Sequence, residues 1–292
     1  MTFSPQKITI GFIGIGVMGK SMAGHLMAKG YRMHIYTRTK QKARELLDKG
    51  AIWEDSVASL ALKCQVIISM VGYPHDVEEV YLGDGGIVAN SRPGTITADM
   101  TTSSPELAGR IYSEAKARNV HALDAPVTGG DRGAREATLS IMVGGDESDF
   151  SAMLPVFECM GKTIVYQGSA GKGQHCKLAN QIAIAMTLIG VCESLSYSRR
   201  AGLDEQKMLQ SVSSGAAGSW QMSNMAPRML KGDFAPGFFV KHLLKDLNIA
   251  AEQAARMGFN APGLSLAKTL YDKLVALGEG ESGTQALLKL YR

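Results

Sequence analysis

The sequence predicts an α/β fold, in which a doubly wound, mostly parallel sheet is followed by an all-helical C-terminal domain. From Lys7 to about Gln167, short apolar runs alternate with amphipathic segments, a pattern typical of a sheet covered by helices on both faces. After that stretch, longer segments with helical periodicity follow one another, separated by Gly and Pro. We therefore predict a domain boundary near residues 167–171, with domains at 1–168 and 169–292.

The apolar runs of the first domain have the length and composition of buried strands. In chain order they are Ile8–Ile13, Arg32–Tyr36, Val66–Met70, Thr95–Asp99, His121–Asp124, Leu139–Val143 and Ile164–Tyr166. Helix-like segments separate most of them, at Val17–Lys29, Lys40–Lys49, Ser56–Leu62, Pro105–Arg118 and Glu147–Met160. Because helical segments connect successive strands, we expect most of the strands to pair in parallel.

A long helical segment without Pro opens the second domain, from about Gly173 to Arg200. Further helix-like segments lie near Asp204–Ser213, Met222–Leu230, Leu243–Met257, Leu264–Leu277 and Thr284–Leu290. Gly and Pro fall between these segments, as expected where helices end. The second domain is therefore predicted to be all-helical.

The composition is that of an ordinary globular protein and excludes a disordered chain. The 292 residues suffice for two modest domains, with 45% hydrophobic and 20% charged residues. The formal charge of +4 arises from 31 basic and 27 acidic residues spread along the chain. Since no basic run or basic–aromatic stripe occurs, we expect no nucleic-acid partner, and the mild positive charge favours small anionic ligands.

The four cysteines have no metal-ligand spacing and are too sparse for a disulfide framework. We therefore expect no metal site and a reduced, cytoplasmic compartment. Met1–Lys7 is a short polar lead-in to a strand and does not have the pattern of a signal peptide. The apolar stretch Ile182–Val191 is about half the roughly 20 residues that span a bilayer, so we expect no membrane association.

A glycine-rich turn follows the first predicted strand and opens a helix. It reads Gly14-Ile15-Gly16-Val17-Met18-Gly19. Between a strand and a helix, this spacing is typical of a dinucleotide site: Gly14 permits the tight turn, Gly16 the approach of a pyrophosphate, and Gly19 close helix–sheet packing. We predict that Gly14, Gly16, Val17, Met18 and Gly19 bind the cofactor. A purely structural turn is the alternative.

The end of the second strand indicates which nicotinamide cofactor is used. Enzymes that use NAD usually place an acid there, whereas this sequence reads Tyr36-Thr37-Arg38-Thr39-Lys40. A guanidinium flanked by hydroxyls suits a 2′-phosphate. We predict that Thr37, Arg38 and Thr39 bind NADP, with NAD as a possible cofactor. The alternative is that Arg38 is a solvated loop charge.

Loops of small and polar residues follow three other strands, at Val71–Pro74, Thr101–Pro105 and Ala125–Gly130. Ligands of open parallel sheets bind at the carboxyl ends of the strands. Met70 and Val71 are therefore further candidate cofactor contacts. Ser103 or Ser104 is expected to cap the helix that begins at Pro105.

Four blocks of sequence resemble one known family. They are Gly11–Gly19, Asp124-Ala125-Pro126-Val127-Thr128-Gly129-Gly130, Gly171-Lys172-Gly173-Gln174-His175-Cys176-Lys177-Leu178-Ala179-Asn180, and Lys245-Asp246-Leu247. In this order and spacing, over nearly the whole chain, they resemble the β-hydroxyacid dehydrogenases, the family of 3-hydroxyisobutyrate dehydrogenase, tartronate semialdehyde reductase and the glyoxylate/succinic semialdehyde reductases. Thr128 stands where the family usually has Ser, which affects the choice of substrate and not the reaction class.

The resemblance implies a Rossmann-like N-terminal domain, a helical C-terminal domain and an active site in the cleft between them. It implies that Lys177 is catalytic, that Thr128, Gly129, Gly130 and Asn180 hold the substrate, and that Thr102 and Lys245 contact the nicotinamide half of the cofactor. The expected activity is hydride transfer between a nicotinamide and a small β-hydroxyacid or semialdehyde carboxylate, as in 3-hydroxyisobutyrate dehydrogenase. Tartronate semialdehyde or glyoxylate/succinic semialdehyde reduction is the alternative, and a homo-oligomer (dimer or tetramer) is expected.

The chemistry of these residues agrees with the implied roles. Lysine acts as a general acid or base when its surroundings lower its pKa toward neutrality, and Lys177 shares a helix face with Asn180. Gly129 and Gly130 allow backbone N–H groups to approach a carboxylate. The alternatives are a surface lysine at 177 and an ordinary solvated charge at 245.

Three other functions are possible for a chain of this fold, and the sequence favours each of them less. Imine reductases of the same fold generally lack the catalytic lysine, so Lys177 argues against that activity. A dinucleotide sensor without turnover has little reason to keep Lys177, Asn180 and the glycine loop together. The enzyme 6-phosphogluconate dehydrogenase has a much longer helical domain than this chain.

Overall fold

The computed structural model describes residues 3–5 and 7–291, and the chain divides into two compact units, Met1–Lys177 and Leu178–Arg292. The strands described in the first unit are β1 (Thr9–Ile13), β2 (Arg32–Tyr36), β3 (Ile52–Trp53), β4 (Val66–Ser69), β5 (Ile96–Asp99), β6 (His121–Asp124), β7 (Val127–Thr128), β8 (Leu139–Gly144) and β9 (Gly161–Gly168). They form one sheet in the order β3-β2-β1-β4-β5-β6-β8-β7, with β9 beside β8. Strands β1 to β6 pair in parallel, whereas β8 is antiparallel to β6 and β7. The predicted mostly parallel, doubly wound sheet is confirmed.

Helices connect the strands and cover the sheet. They are α1 (Val17–Ala28), a 3₁₀ helix (Lys40–Ala43), α2 (Arg44–Asp48), α3 (Val57–Ala61), α4 (Pro74–Leu82), α5 (Ile87–Asn90), α6 (Pro105–Lys116), α7 (Gly130–Arg135) and α8 (Glu147–Phe157). Ser104 caps α6 as predicted, since its hydroxyl oxygen accepts the N–H of Leu107 at 3.1 Å. Apolar side chains of β1, β4 and β5 pack under the helices, among them the fully buried Phe12, Ile68 and Ala98.

Elements without a clear sequence pattern account for the differences from the prediction. Strands β3 and β7 have two residues each, too few for a periodic pattern. Helix α4 was not predicted: a loop was predicted at Val71–Pro74, and no element was assigned to residues 75–82. Proline is well accommodated at the first helical position, and Asp76 Oδ2 accepts the N–H of Tyr73 at 3.0 Å, which closes the first turn.

The secondary structure described in the second unit is helical, as predicted, apart from an isolated bridge between Phe239 and Gly283. Its elements are the greater part of α9 (Lys172–Arg200), then α10 (Glu205–Val212), α11 (Trp220–Asn224), α12 (Ala226–Leu230), α13 (Val240–Arg256), α14 (Pro262–Ala276), and 3₁₀ helices at Glu279–Glu281 and Thr284–Tyr291. The segment predicted as one helix at 222–230 breaks at Met225, next to Pro227, whose ring nitrogen donates no hydrogen bond. Leu188, Leu243 and Tyr271 lie at the centre of this unit's core.

Helix α9 runs through the boundary between the two units. Its first six residues belong to the first unit and the rest to the second. The predicted domain division at residue 168 lies in the loop before this helix and stays a prediction. By length and composition alone α9 is also long and apolar enough to cross a membrane, but core helices of globular proteins meet the same criterion. Leu188, Cys192 and Leu195 on this helix are buried in the core of the second unit.

Candidate functional site

The turn after β1 contains three glycines of the dinucleotide-binding pattern, and the fold itself requires glycine at two of them. Gly14 has a φ of +97°, and a Cβ there would lie 2.2 Å from the carbonyl oxygen of Met70. A Cβ at Gly19 would lie 2.0 Å from the carbonyl oxygen of Gly14. At Gly16, by contrast, no atom lies within 4 Å of the added carbon. The protein itself leaves this position open, which fits the predicted pyrophosphate contact of Gly16.

The N-terminus of α1 is open to an anion. Gly16 offers no side-chain cap, and no acidic residue lies in the first turn. The first residue, Val17, is largely exposed, and Met18 is half-buried. Unpaired N–H groups and the positive end of the helix dipole therefore face solvent next to the glycine turn, a suitable cradle for phosphate oxygens.

Arg38 lies directly after β2, between Thr37 and Thr39, and is held on one side by a buried carboxylate. Its Nη1 atom is 2.9 Å from Asp76 Oδ1; the Arg38 side chain is 77% exposed and that of Asp76 only 6%. Because a guanidinium carries five N–H donors in a fixed plane, one edge can pair with Asp76 while the others remain available. Arg38 is thus oriented by the protein and is more than a freely solvated charge.

The ends of β1, β4 and β5 meet beside the glycine turn. The N–H of Met70 donates to the carbonyl of Ile13 at 2.9 Å, and the N–H of Val71 donates to Thr101 Oγ1 at 2.9 Å. Thr102 is the next residue of the same loop. The first unit therefore brings the predicted cofactor residues 14, 70, 71 and 102 to one edge of the sheet.

Beneath this edge lies a layer of buried polar side chains that the sequence analysis did not single out. Asp99 Oδ1 accepts hydrogen bonds from Ser69 Oγ at 2.8 Å and from the N–H of Thr101 at 3.1 Å. Asp124 is the register partner of Asp99 on the neighbouring strand. Burial raises the pKa of Asp99 to about 6 and also raises the pKa of Asp124. The two carboxyl groups, with Ser103, line a small internal cavity.

The predicted substrate loop has the backbone that its glycines permit. Gly129 and Gly130 have φ values of +127° and +62°, a region that other residues rarely adopt. Thr128 pairs with Ser140 of β8, and α7 begins at Gly130. The loop is half-buried to exposed, so a carboxylate can reach its N–H groups.

Lys177 is buried, with 5% of its surface exposed, and lies in the second turn of α9. The first turn of that helix is bonded to the carboxylate of Asp124, which accepts the N–H groups of Gly171 and Gln174 at 2.7 and 2.8 Å. The alternative of a surface lysine at 177 is therefore wrong. Asn180 follows three residues later on the same helix.

In the second unit, hydrogen bonds link Asn180 through Gln181 to Asp246, and Lys245 forms an ion pair with that aspartate. Asn180 Nδ2 donates to Gln181 Oε1 at 2.8 Å, and Gln181 Nε2 donates to Asp246 Oδ2 at 2.5 Å. Lys245 Nζ lies 3.1 Å from Asp246 Oδ1, and both side chains are buried or nearly so. Lys245 is thus not an ordinary solvated charge, in contrast to Lys241, which pairs at the surface with Glu281.

Several residues of this site were missed, although some carried a signal. Ser69 and Asp99 are polar residues at the ends of buried strands. Gln174 and Asp246 lie inside the blocks quoted for the family resemblance but received no role. Among the described residues, no group of three or more His, Cys, Asp or Glu side chains is arranged to hold a metal ion.

Known protein families match both parts of the chain. Residues 9–168 match the family described as the NAD binding domain of 6-phosphogluconate dehydrogenase. Residues 171–291 match the family described as "NAD-binding of NADP-dependent 3-hydroxyisobutyrate dehydrogenase". Together these matches cover nearly all of the sequence.

Individual relatives extend over the full length. An oxidoreductase of Bacillus subtilis, itself described as uncharacterized, is 57% identical over 98% of this chain and 99% of its own. The probable 3-hydroxyisobutyrate dehydrogenase-like 1, mitochondrial, of Arabidopsis thaliana is 48% identical over 98% of this chain and 85% of its own. A solved structure, Mycobacterium tuberculosis 3-hydroxyisobutyrate dehydrogenase with L-serine, superposes with a TM-score of 0.90 at 29% identity, covering 98% of this chain and 99% of that one.

Proposed function

This chain belongs to the β-hydroxyacid dehydrogenase family and is an NAD(P)-dependent oxidoreductase, and we propose that it transfers hydride between NADP(H) and a small β-hydroxy acid of the 3-hydroxyisobutyrate type. The observation that carries the proposal is the buried Lys177, on a helix whose first turn is anchored to the sheet and whose next turn presents Asn180. A buried amine beside an amide suits proton transfer at a reacting oxygen.

The nicotinamide, when bound, supplies or accepts the hydride. Lys177 donates a proton to the aldehyde oxygen during reduction and removes it from the hydroxyl group during oxidation. Asn180 orients the same oxygen through its amide. Thr102 and Lys245 are the residues that would hold the nicotinamide half of the cofactor.

The substrate is proposed to carry a carboxylate near the reacting carbon. The N–H groups of Gly129 and Gly130 are the donors for it, with Thr128 supplying a hydroxyl. The L-serine in the mycobacterial structure, a carboxylate with a β-hydroxyl group, supports this class of substrate. Tartronate semialdehyde remains the alternative substrate, because its carboxylate can accept hydrogen bonds from the same N–H groups.

The preference for NADP is supported by Arg38 and by the family match of residues 171–291, whose description names an NADP-dependent enzyme. The open Cβ position at Gly16 and the uncapped N-terminus of α1 fit the pyrophosphate of either cofactor. Selectivity therefore rests on the 2′ position of the ribose.

The test is a Lys177→Ala variant assayed beside wild type. Each protein is given 3-hydroxyisobutyrate, L-serine, tartronate semialdehyde and the neutral amide of 3-hydroxyisobutyrate, with both cofactors, and turnover is followed by nicotinamide absorbance. We expect Lys177→Ala to lose turnover by about 10²–10⁴-fold while binding NADPH normally. Wild type is expected to lose most activity on the amide, because the N–H donors of the substrate loop lose a charged partner. A Lys177→Ala protein with full turnover contradicts the mechanism, and equal use of the amide contradicts the substrate class.

We also propose a homo-oligomer, a dimer or a tetramer. Met257 and Phe259, just after the end of α13, and Leu277 are each more than half exposed, and these apolar side chains are the proposed contacts between subunits. Light scattering after size exclusion measures the assembly, and a monomer at micromolar concentration contradicts it.

A cytoplasmic, reducing compartment is proposed from the cysteines. All four are free among the described residues, and burial raises the pKa of Cys64 and of Cys192 to about 12, so both thiols are unreactive. Four titratable thiols in denatured protein purified without reductant are expected. We propose that the protein acts without a nucleic-acid or membrane partner.

A further inference from the structure

Asp124 ends β6 and opens the block that contains the substrate loop, yet its side chain is directed to another part of the chain. The carboxyl group is buried, with 4% of the residue exposed. One oxygen accepts the N–H of Gly171 at 2.7 Å, and the other accepts the N–H of Gln174 at 2.8 Å. Both donors belong to the start of α9. A carboxylate some 50 residues away in sequence therefore performs the task that a local N-cap performs in most helices.

The contact between the start of α9 and the sheet leaves no room for adjustment. A Cβ at Gly173 would lie 2.5 Å from the carbonyl oxygen of Met142 and 2.8 Å from Asp124 Oδ2. A Cβ at Gly144 would lie 2.5 Å from Asp124 Oδ1. The backbone of the first turn is thus packed directly against the ends of β6 and β8, and the hydrogen bonds to Asp124 fix its direction.

Gln174 extends this anchoring to the loop after β5. The residue is fully buried. Its Nε2 donates to the carbonyl of Thr101 at 2.8 Å, and its Oε1 accepts the N–H of Ser103 at 2.9 Å. These two contacts hold the peptide groups on either side of Thr102.

We propose that Asp124 and Gln174 are positioning residues for the reaction: Asp124 sets the helix turn that carries Lys177, and Gln174 sets the loop that carries Thr102. The inference rests on the proposed function, in which Lys177 moves the proton and Thr102 contacts the nicotinamide half. Lys177 follows Gln174 by three residues, less than one helical turn, so a shift of the first turn moves the amine with it. Misplacement of a catalytic group by about 1 Å costs on the order of 10²-fold in rate.

The first experiment replaces Asp124 by Asn, which puts an NH₂ group against one of the two N–H donors. The matched control is Asp149→Asn. Asp149, in α8, is also buried, and its carboxylate is hydrogen-bonded to His121 Nδ1 at 2.9 Å. His121 begins β6, the strand that Asp124 ends. We expect Asp124→Asn to lower kcat by about 10- to 100-fold with substrate KM and NADPH affinity within about threefold of wild type. Asp149→Asn is expected to keep kcat within about twofold, since it does not touch α9.

The decisive measurement is the same substitution in the Lys177→Ala background. If Asp124 acts through Lys177, Asp124→Asn costs no further turnover once the amine is absent, because residues that act as a unit are not additive. An equal loss in both backgrounds shows a merely structural role and overturns the proposal for Asp124. If Lys177→Ala itself keeps full turnover, the proposed mechanism is wrong, and the positioning role is wrong with it. The single variant therefore tests the mechanism, and the double variant tests the positioning role.

Gln174→Met tests the other half and does not depend on Asp124→Asn folding. It keeps the length of the side chain and removes both contacts to the Thr102 loop. We expect NADPH affinity to fall by about 3- to 10-fold, as for the loss of one or two ordinary hydrogen bonds, and no further loss in a Thr102→Ala background. Fluorescence titration measures the affinity and circular dichroism the folding. Unchanged affinity, or an equal loss in both backgrounds, overturns the role of Gln174.

Discussion

At the scale of single residues, Arg38 shows how one contact changes the meaning of a sequence signal. The missing acid after β2 predicts NADP, and the pair with Asp76 at 2.9 Å fixes one edge of the guanidinium. We predict that Arg38→Asp lowers kcat/KM for NADPH by about 10- to 100-fold, since charge-assisted hydrogen bonds are lost and a repulsive charge is added. The value for NADH is expected to change by less than about threefold.

Steady-state assays with both cofactors measure this effect, and Arg44→Asp is the matched control. Arg44 is an exposed arginine six residues further along, whose nearest acid is Asp48 at 4.0 Å. A uniform loss with both cofactors, or an equal loss in the control, contradicts the assignment of Arg38 to the 2′-phosphate.

Asp99 is the residue from which we expect a pH signature. Burial raises its pKa from 3.8 to about 6 in the folded protein. Between these values the folded state holds a proton that the unfolded state has lost, so stability falls as the pH rises from about 4 to 6 and is constant above. The loss amounts to about 3 kcal/mol at most.

Asp99→Asn keeps an acceptor for Ser69 and Thr101 but does not titrate. Urea unfolding of both proteins between pH 4 and 7.5 measures the free energy of unfolding, and the variant is expected to lack this part of the slope. Parallel pH profiles for the two proteins would show that Asp99 ionises normally in the folded state.

The residues found from sequence and those that were missed differ in a physical way. Gly14, Gly19 and Arg38 lie within local motifs, so spacing along the chain is enough to predict a role for them, whereas the role of Lys177 was predicted from the family resemblance. Asp124 acquires its role only when a helix start from 50 residues away is placed against it. Sequence patterns do not reveal contacts between residues so far apart along the chain. The block that contains Lys177 was therefore found, but its hydrogen bonds to Asp124 were not.

At the scale of elements, periodicity predicted most of the strands and helices, but it missed the nine-residue helix α4 and short elements such as β3 and β7. Strand β2 begins and ends at the predicted residues, and its three central residues are buried between two more exposed ends. Helix α4 was missed because it begins with a proline, and in the sequence alone a proline is more typical of a loop. The stabilising contact, from Tyr73 N–H to Asp76, becomes visible only in the folded chain.

The glycine turn between β1 and α1 allows folding and binding to be separated with two substitutions. Gly19→Ala places a carbon 2.0 Å from a backbone oxygen, so we predict a loss of stability of about 1–3 kcal/mol. Gly16→Ala meets no protein atom and should fold as wild type, yet weaken NADPH binding because the methyl group occupies space needed by the pyrophosphate. Denaturant unfolding and fluorescence titration, applied to both variants, measure the two effects. Normal cofactor affinity in Gly16→Ala contradicts the cradle.

At the scale of the whole molecule, the two units have separate hydrophobic cores. We predict that Leu188→Ala in α9 lowers the free energy of unfolding by about 2–5 kcal/mol. NADPH affinity is expected to stay within about threefold of wild type, because the glycine turn lies on the other core. Leu26→Ala in α1 is the comparison, and it should lower both quantities. Chemical unfolding gives the stability; a Leu188→Ala protein that loses cofactor binding while still folded contradicts this independence.

The course of α9 decides where members of this family can be recombined. A chimera joined at residue 168, the boundary that the sequence suggests, takes Asp124 from one parent and its partners Gly171 and Gln174 from the other. A crossover just after Lys177 inherits the carboxylate, the helix start and the lysine as one block, so swapped C-terminal halves meet an intact scaffold. For the same reason, inserting a single residue between Lys177 and Asn180 turns the amide by about 100° around the helix axis, whereas lengthening the loop before Gly171 leaves both side chains in phase. Library design for altered substrates therefore has its crossover point inside a helix, at the boundary of the two compact units, and not in the loop where the sequence predicts a domain boundary.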